Sequence, residues 1–474
     1  MIRTKKVIVT ILSIFAIITV ITAVIAFIFL KICAIIYTSV PKGNIFMQKK
    51  YDIIVAGCGC AGFAAAVQAG RLGKNVLIIE KNGMPGGIMT VGGNNDVAQF
   101  YAHQNQIIAG IGWEFVNLLK EEGGAVIPDM HKTGVPHWYY GVHVNIPLAA
   151  AKMDEMLLDA GVDICYEQFI CAANVESDRD GKKISSILVT SKSGLVEIGA
   201  DVFIDCTGDG DLSVFAGADY ECGEPTGKGL SLQPGTIRAY LGGSVSDYSV
   251  ENINASLKDS IDSGVLSPPD TKGAGIRQLL DSRYNNINHI SGFNGADSHE
   301  KTLADIEGRQ CVKRLYMALK KAGISPDLES ISPETAMRET RRIVCDMKIT
   351  VDDYVSARKY PDGICNSFYP IDLHRDGMDG IYQIFLTDGQ VPSIPLSAMT
   401  VRGLSNLFVA GRCAWGDRLA NSAYRVKASC MAMGQACGAA AAQAVDENSG
   451  RTRGLDIRKL RDTLVKNGAI VPEV

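Results

Sequence analysis

The chain opens on an unbroken apolar run. Val7 to Leu30 is 24 residues without a charge, relieved only by Thr10, Ser13, Thr19 and Thr22. At about 1.5 Å per helical residue, such a run spans a bilayer core of roughly 30 Å. A cleaved signal would carry a shorter apolar stretch and then a small-residue cleavage site, and none is clear. The pattern therefore predicts one uncleaved transmembrane helix, about 7–30, inside a leader of residues 1–46. Met47 stands directly before Gln48-Lys49-Lys50-Tyr51-Asp52 and offers a second natural start, for a chain without the leader. Arg3, Lys5 and Lys6 precede the span and Lys31, Lys42, Lys49 and Lys50 follow it, so the positive-inside rule is nearly silent on orientation.

Beyond the leader the pattern changes to short apolar strands that stop at glycines. Asp52 to Ala56 reads as a buried strand and runs into Gly57-Cys58-Gly59-Cys60-Ala61-Gly62. An alanine-rich helix is expected over Phe63–Leu72, then a strand over Asn75–Ile79 that ends at Glu80. The segments 161–164 and 187–189 read as further strands, as does Asp201–Asp205, which stops at Cys206-Thr207-Gly208-Asp209. A last strand, Asn406–Val409, stops at Gly411-Arg412, before a helix expected over about Tyr424–Val445. Its small residues suit close packing against the sheet, and Arg425, Lys427 and Gln435 argue against a second membrane span. A peripheral helix, Asp456–Asn467, closes the chain.

This order divides the molecule. A cofactor domain begins within 47–222, with an excursion over 96–146, and closes with 402–446; residues 223–401 form an inserted α+β capping or substrate domain; 447–474 is a tail. The net charge of −4 supplies no basic field of the kind that draws a protein to nucleic acid. The 13 cysteines are odd in number and lack disulfide-like spacing. They suit a reducing compartment, so the catalytic domain is expected to face the cytoplasm, or to lie in it outright if translation starts at Met47.

The glycine pattern is the dinucleotide fingerprint. Gly57 allows the tight turn, Gly59 admits the backbone to a pyrophosphate, and Gly62 lets helix and strand approach. The helix N-terminus offers free amides, here of Cys60 and Ala61, to the phosphates. Glu80 lies 21 residues after Gly59, where a carboxylate accepts ribose hydroxyls. Lys81 follows it, and Gly86-Gly87 after a short spacer carries the chain past the pyrophosphate, as FAD-binding rather than NAD-binding domains do. Thr207, Gly208 and Asp209, then Gly411, Arg412, Arg425 and Val426, complete the expected cofactor set. Cys58 and Cys60 read as small side chains in a crowded loop.

These segments, together with Arg338-Glu339-Thr340-Arg341-Arg342, Pro370-Ile371-Asp372-Leu373-His374 and Met431-Ala432-Met433-Gly434-Gln435-Ala436, resemble the bacterial FAD-dependent oxidoreductase family, often grouped with heterodisulfide reductase A-like proteins. The resemblance covers about Lys50 to Asp446. It implies an α/β, two-dinucleotide-binding-type Rossmann-like flavoprotein fold. The chain departs from heterodisulfide reductase A itself in having no C-x-x-C, so no iron–sulfur cluster is expected.

Two groups of residues stand out for chemistry. Ser332-Pro333 reads as a helix start, which would put Arg338, Arg341 and Arg342 on one helix and let Arg338 and Arg341 clamp an anionic substrate. His374, ending a short strand, is placed to move a proton near neutral pH, a role the resemblance strengthens. His103, His131, His137 and His143 show no paired spacing, so no metal is expected. The expected activity is hydride transfer between flavin N5 and a small, anionic organic substrate, with the electron partner undefined. The rivals are an anchored dehydrogenase that passes electrons to quinone, and FAD binding without turnover.

Overall fold

The computed structural model describes residues 50–179, 181–227, 229–242, 249–264, 266, 289–321, 323–324, 327–375 and 381–473. The expected membrane helix lies outside the described residues. Among those described, no helix is long and apolar enough to cross a membrane.

Five apolar stretches form one parallel sheet: β1 (Tyr51–Ala56), β2 (Val76–Ile79), β3 (Asp163–Cys165), β4 (Ala200–Asp205) and β5 (Leu407–Val409). The spatial order is β5-β4-β1-β2-β3. Ile53 sits opposite Val76 on one side and Val202 on the other, and Phe203 opposite Leu407. Both faces are covered, which is why these strands read as near-continuous apolar runs. The sheet thus gathers segments more than 200 positions apart, and its carboxyl ends all point to one side.

Four helices matter for the site. They are α1 (Cys60–Arg71), α2 (Arg418–Tyr424), α3 (Lys427–Glu447) and α4 (Ile457–Lys466). The fingerprint helix begins at Cys60, three residues before the expected Phe63. The helix expected over 424–445 is interrupted: α2 ends at Tyr424, Val426 is extended (φ −66°, ψ 151°), and α3 starts at Lys427. Arg425 and Val426 therefore occupy a corner between two helices. The small residues of α3 serve α1 rather than the sheet. A Cβ on Gly434 would stand 2.0 Å from the Ala61 carbonyl oxygen, and one on Gly438 2.3 Å from that of Ala65. The tail helix forms as expected, with Asp456 capping it through the Lys459 amide.

The strand expected at Ile187–Val189 forms within Gly181–Ser191, the middle strand of an antiparallel sheet with Phe169–Asp178 and Gly194–Ile198. One expectation fails: no helix follows Ser332-Pro333. Ser332 spends its hydroxyl on the Arg238 amide (3.0 Å) instead of capping a helix. Ala336 and Thr236 exchange backbone bonds at 2.8 and 2.9 Å, and Arg341–Ile343 pairs as a strand with Tyr220–Cys222. Backbone pairing across the fold captures this stretch and overrides its local helix signal.

Candidate functional site

The carboxyl ends of β1, β2, β4 and β5 open into a cavity of about 270 Å³. In an open α/β sheet this is where ligands collect. Gly57, Gly59, Cys60, Ala61, Glu80, Lys81, Gly86, Gly87, Thr207, Gly208, Asp209, Gly411, Arg412, Arg425 and Val426 all line it, as do Arg338 and His374. Two expected residues do not. Gly62 stands behind the wall, where a Cβ would meet the Gly57 carbonyl oxygen at 1.8 Å, so its role is packing. Arg341 turns away, donating to Asp211 (2.8 Å) and to the Ala296 carbonyl (2.9 Å).

The fingerprint end of the cavity has the shape a dinucleotide needs. Gly57 has φ +89°, a conformation that favours glycine, and a Cβ there would press on the Cys206 carbonyl oxygen at 2.7 Å. Gly59 differs: a Cβ would meet nothing within 4 Å and would project into open space, so its bareness serves something outside the fold. The first intrahelical bond of α1 runs from Phe63 N to Gly59 O (2.9 Å), leaving the preceding amides at the helix N-terminus to face an anion. The Glu80 carboxylate accepts from Cys58 N (2.7 Å), Asn82 N (2.9 Å) and Asn82 Nδ2 (2.9 Å). A carboxylate has about four lone-pair sites, so capacity remains for a ribose hydroxyl. Burial pushes the Glu80 carboxyl upward.

Midway, Asp209 is held by two partners, Thr340 Oγ1 (2.7 Å) and Arg412 Nη2 (2.8 Å). Burial would raise Asp209, but the Arg412 and Lys81 cations prevail and hold it below the usual carboxylate range. Neighbouring Asp211, half-buried beside Asp209 and Asp205, is pushed up to about 6 by desolvation and those carboxylates even with Arg341 attached.

Away from the fingerprint the lining is rich in cations. Arg238, Arg338, Arg425 and Lys427 stand there together with Tyr369, Asp372 and His374. Arg338 donates to the Pro234 carbonyl (2.8 Å) and Thr236 Oγ1 (2.6 Å), and its Nη2 lies 3.2 Å from His289 Nε2. Burial, then repulsion from Arg425, lowers Arg338 to about 9. Arg425 gives Nη2 to Gln233 Oε1 (3.1 Å), and its Nε has no partner among the described residues. Burial likewise lowers Lys427, to about 8, although its ammonium donates to the Asp96 carbonyl (2.8 Å).

Strand Ile371–His374 puts residues two apart on one face. Asp372 Oδ2 and His374 Nε2 are 3.2 Å apart, and Gln383 Nε2 donates to Asp372 Oδ1 at 3.2 Å. Burial first, then the Arg338 guanidinium, pushes His374 down to about 4 despite Asp372. Burial would raise Asp372, but the bond from His374 and the field of Arg425 hold it at about 2. Near neutral pH the imidazole is therefore uncharged and faces an ionised carboxylate. That carboxylate only accepts, so the proton sits on Nε2 and Nδ1 carries a lone pair. Nδ1 is buried and has no partner among the described residues.

Asp372, Tyr369, Arg238, Lys427 and Gln233 were not picked out as site residues from the sequence. Asp372 stands two before His374, so the strand periodicity was a usable signal. Arg238 and Gln233 lie in a stretch without a motif. The four histidines of the excursion disperse: His137 stacks edge-on against Tyr369 (5.2 Å between centroids), while His103 lies beside Asp388 and His143 beside Asp96. Among the described residues, no group of three or more His, Cys, Asp or Glu is placed to hold a metal.

A family model described as FAD dependent oxidoreductase matches residues 52–464, and the chain belongs to that family. It is an FAD-dependent oxidoreductase, and the open space at Gly59 and the spare acceptor capacity of Glu80 fit the cofactor. A NADH:fumarate oxidoreductase of Klebsiella pneumoniae is 33% identical over 34% of this chain and 17% of its own length. A urocanate reductase of Eggerthella lenta is 43% identical over 10% of this chain and 8% of its own. The chain thus spans less than a fifth of either relative. The solved structure of a flavin-dependent brominase covers 87% of this chain and 83% of its own at 13% identity, with a TM-score of 0.41.

Proposed function

We propose that this oxidoreductase exchanges a hydride between FAD and a small anionic organic substrate held at the cationic end of the cavity. FAD supplies hydride chemistry at its flavin N5. The amides of Cys60 and Ala61 would hold its diphosphate, Glu80 and Lys81 its ribose end, and Gly86, Gly87, Thr207 to Asp209, Gly411 and Arg412 would form the intervening wall. Arg425 and Val426 stand at the corner where the cofactor site gives way to the substrate site. The stretch 223–401 caps the site, a reading supported by Arg238, Arg338 and His374 reaching the cavity from it.

The observation that carries this reading is the charge imbalance at one end. Four cationic side chains, Arg238, Arg338, Arg425 and Lys427, share the wall with two acidic ones, Asp96 and Asp372. Burial and the Arg425 charge depress the affinity of Arg338 for its proton, which an incoming carboxylate relieves. His374 manages the proton: buried, neutral and oriented by Asp372, it is set to accept one rather than to give one.

The test is anaerobic. The FAD-loaded chain is mixed with organic acids and with their uncharged amides, and the flavin band is followed. Oxidised protein bleached by an acid, or chemically reduced protein reoxidised by one, supports the reading when the amide fails. Equal reaction of acid and amide, or reaction with neither, defeats it.

A further inference from the structure

Resting on that reading, we infer that the substrate is a 2-hydroxy carboxylate, its carboxylate between Arg338 and Arg425 and its hydroxyl donating to Nδ1 of His374.

Three observations converge on this. First, the acceptor is fixed. Asp372 Oδ2 lies 3.2 Å from His374 Nε2 and can only accept, so the ring proton is committed to that side. Nδ1 is left as a buried lone pair without a partner among the described residues, in a residue that lines the cavity. A buried acceptor of this kind calls for an O–H or N–H donor, and a ligand in the cavity can bring one. Secondly, the orientation is rigid. Asp372 is held in turn by Gln383 Nε2 at 3.2 Å, and the His374 amide lies 3.4 Å from Gln233 Oε1, the same oxygen that receives Arg425 Nη2. Gln233 thereby ties the acceptor to one of the two cations. The His289 ring, 5.1 Å from that of His374, lies beside Arg338 and ties in the other. Thirdly, the two functions are close: the Arg338 and Arg425 charges both act on His374. A ligand that satisfies both carries an anion and a hydroxyl near each other, as a 2-hydroxy acid does.

The chemistry balances. The carbinol C–H leaves as a hydride to FAD, and the hydroxyl proton passes to Nδ1. The C–O single bond becomes a carbonyl, so a 2-hydroxy carboxylate yields a 2-oxo carboxylate and the cofactor gains two electrons. The imidazolium formed faces Asp372, and the substrate carboxylate offsets the Arg338 and Arg425 fields that otherwise oppose it.

Binding is tested apart from turnover with 2-hydroxy-2-methylpropanoate, whose carbinol carbon has no hydrogen to give. Its dissociation constant on the FAD-loaded full chain is compared by calorimetry with those of 2-methylpropanoate and 2-methoxy-2-methylpropanoate. The hydroxy acid is expected to bind about tenfold tighter than either, a hydrogen bond's worth. His374→Leu, checked for unchanged FAD content, is expected to erase that difference and leave 2-methylpropanoate binding in place. Lactate and malate are then expected to bleach the flavin under anaerobic conditions. Equal binding of all three acids, or a preference that survives His374→Leu, overturns the 2-hydroxy assignment. If reduced flavin is still reoxidised by an unsaturated acid such as fumarate, the general proposal stands without it. If no carboxylate binds at all, both fall.

Discussion

Asp372 and His374 stand two residues apart on one strand, with Oδ2 and Nε2 at 3.2 Å, and this contact decides which nitrogen of the histidine is available. The same burial that keeps His374 neutral carries a stability signature. In the unfolded chain a histidine takes its proton near pH 6.5, whereas in the fold His374 does so only at about 4. Between those values the unfolded chain binds the extra proton. Stability therefore falls as the pH drops through this window, by on the order of 3 kcal/mol if His374 acts alone. Denaturant titrations of wild type and His374→Gln across the window check this: the variant should show a shallower fall.

Arg425 lowers His374 and offers Nε to a ligand. Arg425→Met should weaken binding of a carboxylate by about ten- to a hundredfold, the worth of a charge-assisted hydrogen bond. With that cation gone, His374 titrates at higher pH. The acid limb of kcat/KM should move up from near pH 4 by a limited amount, since burial and Arg338 still hold His374 down, a change that a merely structural arginine would not produce.

Gly59 and Gly434 separate cofactor space from packing space. A methyl at Gly59 meets nothing in the fold. Gly59→Ala should therefore leave the cofactor-free protein's thermal midpoint essentially unmoved while cutting FAD retention. A methyl at Gly434 meets the Ala61 carbonyl oxygen at 2.0 Å. Gly434→Ala forces α3 off α1 and should cost about 2 kcal/mol or more whether FAD is present or not. Melting curves with and without added FAD distinguish the two.

Arg341 was a natural substrate clamp as a sequence feature, but its guanidinium is spent on Asp211 and two carbonyls. Arg341→Met should lower the thermal midpoint, and Asp211 should titrate further above about 6, since the cation restraining it is removed. Turnover should persist, as initial rates would show.

The cofactor half of the site was legible because its signals are local. A glycine that must turn, a glycine that must stay bare and an acid at the next strand's end are fixed by a single βαβ unit, and the expected residues from Gly57 to Gly87, Gly62 apart, line one cavity. The substrate half was not legible for the opposite reason. Ser332-Pro333 carries a sound helix-start signal, yet pairing of Ala336 with Thr236 settles the backbone from 100 residues away. Arg338 reaches the cavity from an extended segment, and Arg341 is carried elsewhere. Arg238 and Gln233 have no pattern around them, and only the folded chain brings them beside His374. The break at Val426 was hidden because both flanking segments favour helix, so the corner that presents Arg425 could not be read from composition.

The most direct measurement is the absorbance spectrum of the FAD-loaded protein during titration with unreactive carboxylates, in wild type and in Arg425→Met. A saturable perturbation of the flavin band in wild type, weakened in the variant, is the expected result if cofactor and anion share the cavity as proposed. A flavin spectrum indifferent to every carboxylate, or a perturbation untouched by the loss of Arg425, would contradict it.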